Sequence, residues 1–287
     1  PLASGVASMP KTFDELLNEE RTLIMGILNV TPDSFSDGGE FLSPKAAVDR
    51  ALQMVEEGAD ILDMGGESSR PGAEPVTAEQ EIARLLPVLQ ELTPQISVPI
   101  SVDTYKSAVA EACLVLGASI INDISALRFD ESMAAVAEKC KAQVVLMHMK
   151  GTPRDMQCAP DYGDVTAEIN TFFEERIEYA TSSGIERSRL ILDPGIGFGK
   201  SPVHNFTILR DLRRFSDLGL PLMVGPSRKS FIGMTLDLPE SERLEGTSAS
   251  VTAAVLNGAD IVRVHDVKEM KRVVTIADSI HRIGAEA

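Results

Sequence analysis

Residues 23–39 read LIMGILNVTPDSFSDGG, and this stretch indicates the fold more clearly than any other. A short apolar run ends abruptly at Asn29 and passes into a loop of turn formers, hydroxyls, carboxylates and one aromatic side chain. Enzymes with alternating strands and helices build sites in this way, because a buried strand fixes the position of the loop that carries the chemistry. We therefore expect Asn29 to lie at the mouth of a site.

The same pattern of an apolar run ending in polar residues recurs along the chain and predicts a parallel barrel. Strands are predicted at Ile24–Asn29, Ile61–Gly65, Ile100–Asp103, Ile120–Asp123, Val144–His148, Leu190–Asp193, Leu222–Gly225 and Ile261–Val264. Helical patterns lie between them, including Lys45–Glu57, Glu79–Leu92, Tyr105–Leu116, Glu131–Lys141, Val165–Ser183, Val203–Phe215 and Thr247–Leu256. Eight such alternations over about 250 residues are typical of a (β/α)8 TIM barrel, an α/β fold. A doubly wound open sheet is the alternative.

The pattern shows no boundary between domains. No linker rich in Pro, Gly and Ser interrupts it, so we expect a single barrel over residues 21–287 after a tail and lead-in over residues 1–20. Gly-Ala pairs at 58–59, 117–118 and 258–259 stand where a helix should end and a strand begin. Glycine accepts the left-handed conformation that closes a helix, so these pairs are predicted to be structural and to lie at the bottom of the barrel.

The composition argues against several classes of function. Of the 287 residues, 44% are hydrophobic, which is enough for a large core. A net charge of −16 argues against a broad surface for nucleic acid or anionic membrane, so local cations must hold any anionic ligand. The three cysteines lack CxxC spacing and are expected to be reduced thiols of a cytoplasmic protein. No apolar run reaches the ~20 residues of a membrane span.

Polar and ionisable residues close nearly every predicted strand. In chain order they are Asn29; Asp63, Glu67, Ser69 and Arg70; Asp103; Asn122 and Asp123; His148; Asp193; Ser227, Arg228 and Lys229; and Arg263 with His265. The carboxyl ends of barrel strands meet at one mouth, where barrel enzymes carry their chemistry. Carboxylates and amides there can pair with the amino-amide edge of a flat heterocycle, whereas the cations can hold a phosphate. The predicted ligand has a polar aromatic head and a phosphorylated tail.

Several motifs resemble those of the dihydropteroate synthase family. In the order found in that family, the chain contains NVTPDSFSDGG, GGESSRPGA, SVDTYK, NDISAL, HMKGTP, DPGIGFGK, GPSRKSFIG and NGADIVRVHDV. The similarity extends from Thr22 to about Val274. It implies a transferase of folate biosynthesis that condenses (7,8-dihydropterin-6-yl)methyl diphosphate with 4-aminobenzoate. It also implies Mg²⁺ as cofactor, diphosphate as leaving group and sulfonamides as inhibitors.

The resemblance assigns roles to individual residues. It implies pterin contacts from Asp103, Asn122, Asp193, Lys229 and Arg263, with Met147 and Phe198 as the apolar lining of the pterin slot. It implies diphosphate contacts from Asn29, Ser69, Arg70, Arg263 and His265, with Mg²⁺ at Asn29, and an aminobenzoate pocket of Phe35, Ser36, Pro71 and Ser227. Asp103, Lys229, Arg263 and Asn29 are the residues expected to act in catalysis. The role of His148 is open between site and structure.

The implied chemistry is an SN1-like substitution. Diphosphate leaves from an electron-rich dihydropterin, carboxylates such as Asp103 stabilise the pterin-methyl cation, and the neutral aniline nitrogen attacks it. No cysteine or serine lies in a recognisable nucleophile arrangement. Ser69 stands where the family more often has threonine, which keeps the hydroxyl and removes one methyl group.

Two rival functions share the barrel, and the assembly is also left to test. Two loops are expected to close over the diphosphate: the first loop, residues 31–39 after the first strand, and the second loop, residues 68–73 after the second strand. A pterin-binding methyltransferase domain should lack these two loops and the SRK motif at residues 227–229, all of which this chain has, and a non-catalytic pterin-binding paralogue is the other rival. Without pyrophosphokinase or aldolase motifs, the chain is expected to be a monofunctional enzyme or one domain of a fusion.

The resemblance also implies a homodimer, because the family is usually homodimeric. Candidate contacts are Val251, Ala254 and Val255, or Val273 and Ile276, which could equally face the barrel.

Overall fold

Eight parallel strands form the centre of the molecule, as the sequence predicts. The computed structural model describes residues 12–31, 44–68, 75–152, 156 and 160–283. The strands are β1 (Leu23–Asn29), β2 (Ile61–Gly65), β3 (Ile100–Asp103), β4 (Ile120–Asp123), β5 (Gln143–Met147), β6 (Leu190–Asp193), β7 (Met223–Val224) and β8 (Ile261–Val264). They pair in the order β6-β5-β4-β3-β2-β1-β8-β7, and a parallel bridge between Leu192 and Leu222 joins β6 to β7. The sheet therefore curls into a nearly closed barrel.

Helices surround this barrel. They are α1 (Phe13–Leu17), α2 (Pro44–Glu57), α3 (Ala78–Leu92), α4 (Ser107–Val115), α5 (Met133–Cys140), α6 (Val165–Ser182), α7 (Pro202–Arg210), α8 (Ser230–Leu236), α9 (Leu244–Leu256) and α10 (Val267–Ile283). Capping fixes where several begin: the Thr77 hydroxyl accepts the Gln80 N–H, and the Gln80 side chain accepts the Thr77 N–H. None of the described helices is long and apolar enough to cross a bilayer.

Several predicted elements differ by one to three residues from the observed bounds, among them α4, α5 and α9. β5 lies one residue earlier than predicted, so His148 stands just beyond the strand. β7 contains two residues, because Pro226 follows closely and has no N–H to continue the ladder. The pattern predicted over Val203–Phe215 is divided at Asp211 into α7 and a 3₁₀ turn, Leu212–Leu218.

Apolar side chains fill the lower half of the barrel. Leu23, Met25, Ile61, Ile120, Val145, Ile191, Met223 and Ile261 form one interior cluster. The short helix α1 covers this cluster, and its Phe13 and Leu16 side chains are 5% and 4% exposed. Residues 12–20, which the sequence places in the lead-in, thus contribute to the core.

The Gly-Ala repeats lie at helix ends, as predicted. Gly58, Gly117 and Gly258 have φ values of +105°, +107° and +94°, in the region that favours glycine. They end α2, α4 and α9 ahead of β2, β4 and β8. Their function is to turn the chain from helix to strand.

Polar contacts join the first strand to the last helix at the lower end of the barrel. Arg21 donates two hydrogen bonds of 2.7 Å to the Asp60 carboxylate, which also accepts the Ile24 N–H at 2.9 Å. The Thr22 hydroxyl donates to Asp278 of α10 at 2.8 Å, and the Thr22 N–H bonds the same carboxylate at 3.1 Å. These contacts lie away from the mouth.

Candidate active site

The carboxyl ends of the strands bring the predicted polar residues to one mouth. Asn29, Asp103 and Asp193 are the last residues of β1, β3 and β6. The strand register pairs Asp103 with Asn122 of β4, and Met147 with Asp193. The side chains that the sequence predicts for the pterin slot therefore stand at neighbouring levels of one sheet.

An ion-pair network lies at the centre of the mouth. The Arg263 guanidinium donates through Nε to Asp63 Oδ2 at 2.6 Å and through Nη2 to Asp103 Oδ2 at 2.7 Å. Asp63 Oδ2 also accepts the Asn122 Nδ2–H at 3.0 Å. Asp63 is fully buried. The sequence places Asp63 among the strand-end carboxylates but gives it no role, so its place between two site residues is a finding of the structure.

Burial shapes the electrostatics of this network. It raises the pKa of Asp103, and the Arg263 guanidinium opposes that rise. Burial together with the neighbouring Arg263 lowers the pKa of Lys229 to about 8. Lys229 Nζ lies 4.1 Å from the centroid of the Phe198 ring, within range of a cation–π contact. The ammonium and the ring thus lie against each other beside Asp193.

The loop after β6 presents Asp193. Asp193 is 5% exposed, and its Oδ1 accepts the Gly195 N–H at 2.7 Å. Burial raises the pKa of this carboxyl, while the Gly195 N–H and then Lys229 act against the rise. Gly195 has a φ of +69°, and a Cβ there would lie 2.0 Å from the His148 carbonyl oxygen. Only glycine allows the loop to approach β5 so closely.

Lys200 holds the same loop against β5, and the sequence does not predict this role. Its buried ammonium lies 3.0 Å from His148 Nδ1 and donates to the carbonyls of Phe198 at 2.9 Å and His148 at 3.3 Å. Burial, then Lys200 and Arg128, lowers the pKa of His148 to about 2, so its imidazole is neutral and accepts from Lys200. These contacts support the structural role for His148. The position of Lys200 at the end of the glycine-rich DPGIGFGK motif was the available signal.

Ser227 and His265 contact each other beyond the ends of β7 and β8. Ser227 Oγ lies 3.0 Å from His265 Nδ1 and accepts the His265 N–H at 3.2 Å. Burial and then Arg263 lower the pKa of His265 to about 3, so a neutral imidazole faces the site. The residue predicted for aminobenzoate and the residue predicted for diphosphate are therefore neighbours.

Apolar side chains pack together beside the loop after β6. Met147 and Phe198 belong to one cluster with Ile124, Met149 and Met156, and both are buried. The two residues predicted to line the pterin slot thus lie in one apolar cluster, Met147 paired in register with Asp193 and Phe198 next to Lys229.

A second polar cluster, also missed from the sequence, lies beside Asp103 above β2 and β3. Lys106 contacts Glu67, and it donates to the fully buried Glu81 at 2.7 Å. The Tyr105 hydroxyl donates to Glu67 at 2.9 Å. Burial raises the pKa of Glu81, against the effect of Lys106. These contacts hold Glu67 in place where the second loop begins.

Five predicted site residues, Phe35, Ser36, Ser69, Arg70 and Pro71, lie outside the described residues. Asn29 is half-buried at the end of β1. Within the described ranges, no group of three or more His, Cys, Asp and Glu side chains is arranged to hold a metal ion.

Comparisons with known proteins agree with this geometry. The family model for pterin binding enzymes matches residues 25–265. The dihydropteroate synthase of Synechocystis sp. is 48% identical over 264 residues, which are 92% of this chain and 91% of that protein. The Yersinia pestis dihydropteroate synthase with a sulfonamide drug complex has a TM-score of 0.88 at 43% identity, covering 93% of this chain and 96% of its own. The Xanthomonas albilineans enzyme in complex with 7,8-dihydropteroate has a TM-score of 0.81 at 41% identity, covering 91% and 94%. The chain therefore belongs to the pterin binding enzyme family, among the dihydropteroate synthases.

Proposed function

We propose that the chain condenses (7,8-dihydropterin-6-yl)methyl diphosphate with 4-aminobenzoate to give 7,8-dihydropteroate and diphosphate in folate biosynthesis. The observation that supports this proposal is the set of side chains at the mouth of the barrel. It sets the buried acceptor Asp193, the amide Asn122 and the ammonium of Lys229 beside an apolar slot. Those groups match the donors, acceptors and flat faces of a pterin.

The pterin contacts follow from the chemistry of each side chain. Asp193 and Asn122 accept from the amino-amide edge, and Asp103 faces the remaining ring N–H groups. Lys229 donates to the ring carbonyl and a ring nitrogen. Arg263 lies over the ring face and reaches the phosphates, since a guanidinium both stacks and donates. Met147 and Phe198 complete the slot.

The diphosphate would bind on the Arg263 side of the mouth. Asn29, Arg263 and His265 border it among the described residues, and Ser69 and Arg70 would join from the second loop. The Asn29 amide oxygen is a ligand of the kind that Mg²⁺ prefers, and this ion takes most of its other ligands from water and substrate phosphates. The donor set therefore fits one Mg²⁺ held by Asn29 and the diphosphate. When bound, the ion would neutralise charge on the leaving group.

The residues present suit an SN1-like route. The bond between the methylene carbon and the diphosphate oxygen breaks, and both electrons leave with the diphosphate. Asp103 and Asp63 place negative charge near the resulting cation, while Arg263 stabilises the departing anion. The aniline nitrogen then forms the new C–N bond and releases one proton to water. A neutral His265 is not needed as a base, because the aniline is already neutral at pH 7.

The aminobenzoate pocket would form beside Ser227. Phe35, Ser36 and Pro71 would build its outer wall from the two loops, and a sulfonamide would occupy the same pocket. This arrangement requires the diphosphate to bind first, because the loops that carry these residues also carry diphosphate contacts.

Turnover and ordered binding test the proposal together. Purified protein with pterin diphosphate, 4-aminobenzoate and Mg²⁺ should release diphosphate and form dihydropteroate. A sulfonamide should bind weakly to the free protein and tightly once a pterin, diphosphate and Mg²⁺ are present. No turnover would reject the synthase in favour of a binding paralogue, and methyl transfer from a folate would indicate a methyltransferase domain. Equal sulfonamide affinity with and without diphosphate would reject the ordered pocket.

We also propose that the protein is a cytoplasmic homodimer. Val251, Ala254 and Val255 are buried within one chain, which favours a core role for this set of candidates over an interface role. Large apolar side chains are exposed on three helices that each pack against α9, namely Val203 and Phe206 of α7, Met234 and Leu236 of α8, and Ile276 and Ile280 of α10. A second copy covering this face would remove that apolar surface from water. Sedimentation of the wild type should show a dimer, and sedimentation of Phe206→Glu should show a monomer.

The proposed cytoplasmic location rests on the cysteines. Free thiols at Cys113 and Cys140 fit a reducing compartment.

A further inference from the structure

One buried carboxylate near the site has an unusual set of partners. Asp63 lies inside the barrel on β2, and its side chain is fully shielded from solvent. Its Oδ2 accepts both from Arg263 Nε, at 2.6 Å, and from Asn122 Nδ2, at 3.0 Å. Its Oδ1 is buried and has no hydrogen-bond partner in the part of the chain that the structure describes.

This arrangement determines which end of the Asn122 amide faces Asp63. A guanidinium has donors only, so the Oδ2 that binds Arg263 acts as an acceptor. An acceptor attracts the amide NH₂ and repels the amide oxygen. Asn122 Oδ1 is therefore turned away from Asp63, and no described group donates to it. This oxygen is left as an acceptor for the ligand.

A comparison of Asp63 with Asp60, another carboxylate of the same barrel, shows that the contacts of Asp63 do more than stabilise the fold. Asp60, just before β2, binds Arg21 with both oxygens and also accepts a backbone N–H, so its carboxylate is satisfied. Asp63 leaves one buried oxygen unpaired, which weakens the fold rather than strengthening it. Its second oxygen serves two residues of the site. The hydrogen bonds of Asp63 therefore orient two residues of the site, whereas those of Asp60 stabilise the folded barrel.

We propose that Asp63 is a positioning residue that fixes the Asn122 amide with its oxygen toward the ligand, and so makes the site select a heterocycle with an exocyclic amino group. The inference rests on the pterin contacts proposed above. With Asp63 in place, both Asn122 and Asp193 offer acceptors to the amino-amide edge. Without it, Asn122 can turn and present a donor to that amino group.

Three substitutions distinguish positioning from stabilisation. Asp63→Leu removes both acceptors and frees the Asn122 amide. Asp63→Asn keeps one amide oxygen that can stand at the Oδ2 position, so it should preserve the orientation. Asp60→Leu is the matched control, since it removes a paired carboxylate at the opposite end of the barrel. It should lower the melting temperature and leave ligand selectivity unchanged.

The measurement is calorimetric binding of pteroate and of its analogue with a 2-oxo group in place of the 2-amino group. We expect the wild type to prefer pteroate, and Asp63→Leu to reduce the ratio of the two dissociation constants by about tenfold. Asp63→Asn should keep that ratio within about threefold of the wild type. If Asp63→Leu does not fold, Asp63→Ser replaces it, because a hydroxyl both donates and accepts and does not select an orientation.

The results separate this inference from the proposed function. Wild-type binding and turnover test the function alone, and a wild type that binds neither ligand would overturn both. Suppose that the wild type prefers pteroate, and that Asp63→Leu raises the dissociation constants of both ligands by the same factor or changes neither of them. Asp63 then does not position Asn122. A drop in selectivity in Asp60→Leu as large as that in Asp63→Leu would also overturn the inference.

Discussion

Asp193 can be tested with one amide substitution. The Gly195 N–H donates to Asp193 Oδ1, so in Asp193→Asn this N–H would hold the amide oxygen and turn the NH₂ toward the ligand. A donor would then face the donors of the pterin edge, and we expect a loss of about 1–3 kcal/mol in binding. Calorimetry with pteroate measures it, with the Asp211→Asn exchange outside the site as control. Unchanged affinity for pteroate would show that Asp193 does not contact the pterin.

Lys229 should give the alkaline limb of the pH–rate profile. Burial places its pKa at about 8, below the ordinary value for lysine, and an ammonium loses its charge as pH rises through its pKa. We therefore expect kcat/KM for the pterin diphosphate to fall above about pH 8. Lys229→Arg should lower activity at pH 7 but remove this limb, because a guanidinium stays protonated. A limb that persists unchanged in Lys229→Arg belongs to another group.

The loop after β6 tests how an element supports the site. Gly195→Ala would drive a Cβ into the His148 carbonyl, so we expect a large loss of pterin affinity together with lower stability. Gly219→Ala is the matched control: Gly219 has a similar φ of +63°, but a Cβ there would meet no atom within 4 Å. It should cost about 1–2 kcal/mol in unfolding free energy and leave KM unchanged. Equal KM values for both variants would show that the close approach at Gly195 does not shape the slot.

The elements were largely predictable because most strands are short apolar runs with a polar residue at or just beyond the carboxyl end. The exceptions have local causes. α1 and α8 are five and seven residues long, too short to show helical periodicity, and no side-chain cap marks the start of α8. The ends of β7 depend on Pro226 and on pairing with β8, which no local pattern shows.

The site was predictable where strand ends carry polar residues, and less so where roles depend on tertiary contacts. Asn122, Asp193, Lys229 and Arg263 follow from their places after apolar runs and from family motifs. The partners of Asp63 come from strands 59 and 200 residues away in sequence, so only the fold reveals them. Lys200 is similar, because its His148 partner lies 52 residues earlier.

At the scale of the whole molecule, the join between Thr22 and Asp278 should contribute to stability and not to catalysis. Thr22→Val keeps the side-chain shape and removes the 2.8 Å hydrogen bond to Asp278. We expect a loss of about 1 kcal/mol in unfolding free energy, because the half-buried Asp278 carboxylate loses one of its donors. Urea unfolding measures the loss, and steady-state kinetics should show unchanged KM values for both substrates. A change in either KM would show that this contact at the lower end of the barrel influences substrate binding at the mouth.

The pairing of β1 with β8 also bears on how the protein is made. During synthesis β1 leaves the ribosome first, and its partner on one side, β8, follows more than 230 residues later, from Leu23 to Ile261. Until then, one edge of an apolar strand has unpaired N–H and C=O groups, which can template pairing with other chains. A ribosome-bound chain that stops before Ile261 should therefore depend on chaperones and aggregate when released, whereas the full chain can close its barrel and bury that edge.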